Sequence, residues 1–122
     1  MNRYDLRERT YKFGLSIVML ANKFPRNISA QELGRQLIRS GTSIGANSEE
    51  ADGASSRKDF VYKIHIAKRE AAETRYWLRM IIDSKLLNNE NNIKEAQALL
   101  GECSELVKIL SSILQKSKEK IK

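Results

Sequence analysis

Residues 56–81 read SRKDFVYKIHIAKREAAETRYWLRMI, and this stretch decides the fold. Ser56 stands three residues before Asp59, the arrangement of a capping hydroxyl and a first-turn acid that opens a helix. Behind it Phe60, Ile64, Ala67, Ala71, Thr74, Leu78 and Ile81 recur at steps of three and four. That period puts all seven on one face of a helix, and it lacks the alternation a strand would need. The spacing predicts a helix from Ser56 to near Asn88-Asn89.

The same period continues on both sides. Upstream, Leu6, Thr10, Phe13, Ile17, Leu20 and Phe24 form a seam, with Asp5 and Glu8 as a capping pair. Phe24-Pro25 stops that helix, because the residue before proline avoids the α region. A second helix is predicted to open at the Ser29-Ala30-Gln31-Glu32 capping box and to end at Gly53. A fourth starts at Asn92, with Glu95 behind it, along a seam of Ala96, Leu100, Cys103, Val107, Leu110 and Leu114. The last residues, Lys116 to Lys122, are expected to fray. Short loops between long helices make antiparallel neighbours. The expected fold is therefore all-α: one domain over residues 1–122, an antiparallel up-down-up-down four-helix bundle. Two apolar rows lie outside these seams: Leu99, Leu106, Ile109 and Ile113 on the fourth helix, and Tyr11, Leu15 and Val18 on the first. A helix in a monomeric bundle needs about one stripe, so the extra rows predict a homo-oligomer.

Composition narrows the function. The 122 residues carry 22 Lys and Arg against 15 Asp and Glu, a formal charge of +7, and 41% are hydrophobic, enough for a core. With 6 Gly and 1 Pro the chain cannot supply the turns of a sandwich or barrel. One Cys excludes a disulfide framework or a cysteine-based zinc site, and points to a reducing compartment. One His leaves little for a metal site or catalytic dyad. The N-terminus alternates charges where a signal peptide needs an apolar run. The longest apolar stretch, Ile17 to Ala21, is far below the ~20 residues that span a bilayer. The expectation is a cytoplasmic protein with no membrane partner and no cofactor.

The positive charge is uneven. Residues 54–86 hold eight bases and four acids, and residues 1–24 hold five and two. Arg57, Lys58, Lys68, Arg69, Arg75 and Arg79 on the third helix are candidate nucleic-acid contacts, with Arg3, Arg7 and Lys12 on the first. Such groups bind phosphates in a sequence-independent, salt-sensitive way. The competing reading is a solvated surface whose bases pair with nearby acids. Gly41-Thr42-Ser43-Ile44-Gly45-Ala46 is no phosphate loop: it lacks the Gly-Lys-Ser/Thr ending and follows no strand. Its glycines lie one turn apart, and with Ser43 they are expected to let another helix backbone come close. A di-metal bundle needs Glu-x-x-His pairs, but Tyr62 stands three before His65, the one histidine. No metal site is expected. Asn47, Glu50 and Glu73 are instead expected to include buried polar groups bonded to an Arg such as Arg39. Tyr62 and Tyr76-Trp77 read as packing or a subunit contact rather than base stacking, and Cys103 as a small core hydrophobe.

Arg39-Ser40-Gly41-Thr42-Ser43-Ile44-Gly45-Ala46-Asn47-Ser48-Glu49-Glu50-Ala51 closely resembles the signature of the bacterial 23S rRNA-intervening-sequence proteins. Asp59 to Ile64 and Ala67 to Arg79 are similar to the same family's second block. Ser48 and Glu70 depart from its usual residues. The resemblance implies a left-handed antiparallel bundle that assembles as a homopentamer around a central channel. It also implies nucleic-acid binding, since relatives accessory to diversity-generating retroelements bind nucleic acid and a reverse transcriptase through a basic surface. No catalytic activity or cofactor is attached to the family.

Two functions follow as expectations. The first is a non-enzymatic, oligomeric bundle that binds RNA or another nucleic acid through its basic face. The second is an oligomeric scaffold for a protein partner, such as a polymerase, with no nucleic-acid role of its own.

Overall fold

A computed structural model describes residues 3–121, and the side chains of residues 5–118. Four helices make up the fold: α1 (Arg3–Ala21), α2 (Ile28–Asp52), α3 (Arg57–Asp83) and α4 (Glu90–Ile121). There is no strand among the described residues. Each helix packs on the next, and α4 closes the ring through a smaller contact with α1. Partners run in opposite order along α1 and α2: Thr10 faces Gly45, Ile17 faces Gly41, and Phe24 faces Gly34. The same holds for α2 and α3, where Glu50 meets Lys63 and Ser40 meets Thr74.

The seams predicted for α1 and α3 are buried, from Leu6, Phe13, Ile17 and Leu20 to Ile64, Ala67, Ala71, Leu78 and Ile81; Phe60 is half-buried. On α4 the second apolar row is absorbed within the chain. Leu99 and Leu106 are buried, and Ile109 and Ile113 pack against the core. This helix lies between α3 and α1, so a single chain already covers a wide stripe. The row on α1 is different: Tyr11 is 63% exposed and Leu15 51%.

Several boundaries differ from expectation. The first helix ends at Ala21 rather than Phe24, because the amides of Lys23 and Phe24 donate back three residues and tighten the chain ahead of Pro25. The cap of α2 is Asn27, whose Oδ1 accepts from the Ala30 amide at 2.9 Å; Ser29 donates its hydroxyl to the same oxygen. Asn caps as well as Ser does, and here it comes first. Ser56 caps α3 through the Asp59 amide. That helix stops at Asp83, well short of Asn88, because Lys85 takes a left-handed φ of 59° and turns the chain. Asn89 caps α4 by accepting from Asn92, the residue expected to be the start. At the other end, where fraying was expected from Lys116, the helix continues through Ile121 and Ser117 is buried.

Glycines set the spacing of α1 and α2. A Cβ at Gly45 would lie 3.2 Å from the carbonyl oxygen of Thr10, a backbone atom of α1. One at Gly41 would lie 2.9 Å from a methyl of the fully buried Ile17. Ser43 takes no part in this crossing: its hydroxyl donates to the carbonyl of Arg39 in its own helix. Between α2 and α3 the Thr74 and Ser40 hydroxyls bond at 2.8 Å inside the core, satisfying two buried polar groups at once. On the side toward α4, the Cys103 thiol donates to the Ala71 carbonyl, and burial pushes its pKa up to about 12.

Two outcomes test this packing. Gly41→Ala and Gly45→Leu should each lower stability in urea unfolding by about 1–3 kcal/mol through overpacking. Gly101→Ala, with open space around its Cβ, should instead gain up to about 1 kcal/mol from helix propensity. A neutral Gly45→Leu would mean that α1 does not approach there. Cys103 should resist iodoacetamide in the folded protein. Its thiol ionises near 9.0 when unfolded but only about 12 when buried. The folded state therefore holds the proton longer, and stability should fall as pH rises above that lower value.

Candidate nucleic-acid interface

The long regular helix α3 sets out its basic side chains in two rows. Arg57, Lys68, Arg75 and Arg79 follow one another at 11, 7 and 4 residues, near-whole numbers of turns, and so form one row. Lys58 and Arg69 stand three turns apart in the next row, which they share with Tyr62, His65, Tyr76 and Met80. Lys58, Arg69 and Arg79 are exposed, as is Arg57; Lys68 and Arg75 are half-buried. Arg75 lies close enough to Cys103 of α4 for its charge to act on the thiol, which places the first row on the α4 side of the helix.

None of these six side chains makes an ion pair or hydrogen bond among the described residues. Several bases elsewhere are engaged, while Arg26, Arg35, Lys85, Lys116 and Lys118 also make no ion pair among the described residues. On α1, Arg7 bonds Asp52 at 2.7 Å and Lys12 approaches Glu8. Arg3, also a candidate, has its side chain outside the described residues. Arg9 grips Glu102 of α4 with two bonds of 2.7 Å, and that hydrogen bonding raises its pKa further. Lys63, on the α2 side of α3, bonds Glu50 at 2.8 Å, and this raises its pKa.

The acids of α3 explain the segregation. Arg39 of α2 takes both Glu70 and Glu73, and its hydrogen bond to Glu73 is the main cause of its raised pKa. The expected contact of Arg39 with Glu73 is thus present, but at the surface: Arg39 is exposed and Glu73 half-buried. Glu50 is likewise exposed and bonds the half-buried Lys63, and Asn47 is half-buried, donating to the Ser43 carbonyl of its own helix. The buried polar groups between these helices are instead Ser40 and Thr74. Their signal in the sequence was a small hydroxyl on each helix's apolar seam.

Of the two settings expected for the aromatics, packing within the chain holds for Trp77 and not for the tyrosines. Tyr62 and Tyr76 are 60% and 54% exposed, so neither packs in the core of this chain. Trp77 is half-buried and donates Nε1 to Glu73 at 3.2 Å. On the far side of the molecule, Tyr11, Leu15 and Val18 of α1 and Gly45, Ala46 and Glu49 of α2 line a groove of about 360 Å³. No group of three or more His, Cys, Asp or Glu side chains among the described residues converges to hold a metal ion. No helix there is long and apolar enough to cross a membrane.

No curated protein matches the chain. Among solved structures, it is similar to a protein of unknown function from the S23 ribosomal protein family of Bacteroides thetaiotaomicron. The two share 34% identity and superpose with a TM-score of 0.76, covering 89% of this chain and 97% of the other. Residues 2–112 match the model of the 23S rRNA-intervening sequence protein family. That match takes in α2 with its Arg39–Ala51 block and the whole of α3, and the chain belongs to this family.

Proposed function

We propose that this chain is a non-catalytic helical protein that binds RNA or another nucleic acid through the basic face of α3. The observation that carries the reading is the set of six unpaired cations on one helix, Arg57, Lys58, Lys68, Arg69, Arg75 and Arg79. A solvated helix surface would pair many of them with neighbouring acids, as α1 and the α2 side of α3 do. Unpaired cations in two rows keep their full attraction for phosphates and release counterions on contact. The 23S rRNA in the family's name, and the ribosomal name of the structural neighbour's family, agree with an RNA-containing target.

Six phosphate contacts correspond to a slope of log affinity against log salt near −4 for a single strand. Fluorescence anisotropy with a labelled RNA measures it. Replacing Lys58, Arg69 and Arg79 with Gln should about halve the slope while leaving the helical circular dichroism unchanged. An unchanged slope would place the binding surface elsewhere.

The apolar groove between α1 and α2 supports assembly of identical copies, a homopentamer by family resemblance. Tyr11, Leu15 and Met19 are each more than half exposed at successive turns of α1, an apolar row that a second copy would cover. Leu15→Glu should then lower the mass measured by light scattering while the monomer stays helical. A protein that is monomeric in both forms would remove the oligomer. A co-purifying protein partner with weak, salt-insensitive RNA binding would favour the scaffold function instead.

A further inference from the structure

We infer that the outer face of α3 takes single-stranded nucleic acid, with unpaired nucleobases stacked on Tyr62 and Tyr76 while the flanking cations hold the phosphates. This rests on the nucleic-acid reading of the same face and names the class of ligand. Both rings are more than half exposed, and no hydrogen bond ties either hydroxyl to the rest of the chain. They share a row with Lys58 and Arg69, and the next row carries Arg57, Lys68, Arg75 and Arg79. Fourteen residues of helix separate the two rings, about 21 Å at 1.5 Å per residue, with Arg69 midway; between Arg69 and Tyr76 that side carries Ala72 and Glu73, whose carboxylate is held by Arg39 and Trp77. Rings alternating with cations along one track are the arrangement by which proteins hold single strands without reading their sequence.

Tyr76 is also braced. Its ring meets Trp77 edge-on, with centroids 5.1 Å apart and planes at 76°. Trp77 is in turn held by Glu73, and Glu73 by Arg39. A ring held in place loses little freedom when a nucleobase stacks on it. Beside Tyr62, the Lys63 ammonium stands 5.9 Å from the ring centroid, its charge paired with Glu50. Two other occupants fit less well. A duplex keeps the faces of its nucleobases inside its own stack, so the tyrosines would have nothing to receive. A second protein copy would cover the rings but would also have to desolvate the unpaired cations around them, which is costly unless its acids met each one.

The test compares a labelled, unstructured single-stranded RNA of mixed sequence with a blunt RNA duplex of the same length, using the full chain and the same salt series. The wild-type protein should prefer the single strand. The double variant Tyr62→Ala/Tyr76→Ala should weaken single-strand binding by about tenfold or more. It should leave the salt slope and the duplex affinity unchanged, and Phe at both positions should restore the wild-type affinity. Equal affinity for both probes, unchanged in the Ala variant and with a steep salt slope, would overturn the stacking assignment and leave the phosphate reading intact. A flat salt dependence for both probes would overturn the phosphate reading itself. A fall in oligomer mass in the Ala variant would assign the rings to a second copy and overturn the proposal.

Discussion

Where α1 crosses α2 there is no room for a side chain at Gly45, because the Thr10 carbonyl already occupies the space a Cβ would approach. Gly41 leaves room in the same way for the buried Ile17. This close crossing sets how α2 lies, and α2 carries the second interface of the bundle on its other side. There Ser40 meets Thr74 in the core, and Arg39 reaches over the surface to Glu70 and Glu73. Helix α3 is thereby held along one edge by α2, and its row of charged groups is divided at that edge.

The division matters for function. Glu70 and Glu73 are drawn to Arg39, and Lys63 to Glu50, so the ion pairs of α3 gather on the α2 side. The cations on the outer and α4 sides make no ion pair or hydrogen bond among the described residues. Exposed ion pairs of this kind add little stability, typically 0 to about 1 kcal/mol each. Their larger consequence is to keep the α3 acids away from the cations that would otherwise be neutralised. Opposite this face, the α1–α2 groove is apolar and nearly uncharged. The molecule thus presents two chemically distinct surfaces, one suited to a polyanion and one to an apolar partner.

Much of the fold was legible from periodicity, because each helix buries one stripe and the stripes of Leu, Ile, Phe and Ala repeat at three and four. The helix ends were less legible. Asn27, Ser29, Asn89 and Asn92 are all competent caps, and choosing among them needs the path of the loop. The early end of α3 depends on Lys85 adopting a left-handed backbone, a conformation that the sequence marks clearly only when glycine occupies it. The second apolar row of α4 resembles an oligomer face in the sequence, yet a helix wedged between two neighbours needs that width within one chain. For the candidate interface, the positions of the six cations could be read from the helix period. Whether each would be paired could not, since Arg39–Glu70 and Arg9–Glu102 join residues 31 and 93 positions apart. The exposure of Tyr62 and Tyr76 was likewise hidden, because an aromatic at helical spacing reads equally well as core.

The central claim is that the outer face of α3 is the surface that meets nucleic acid. Ultraviolet crosslinking of the full chain to a bound single-stranded RNA, with the attachment points mapped by mass spectrometry, addresses it directly. The account predicts adducts concentrated between Arg57 and Met80, on the rows that carry the unpaired cations and the two tyrosines. Adducts confined to the α1–α2 groove or to the lysines of α4 would contradict it.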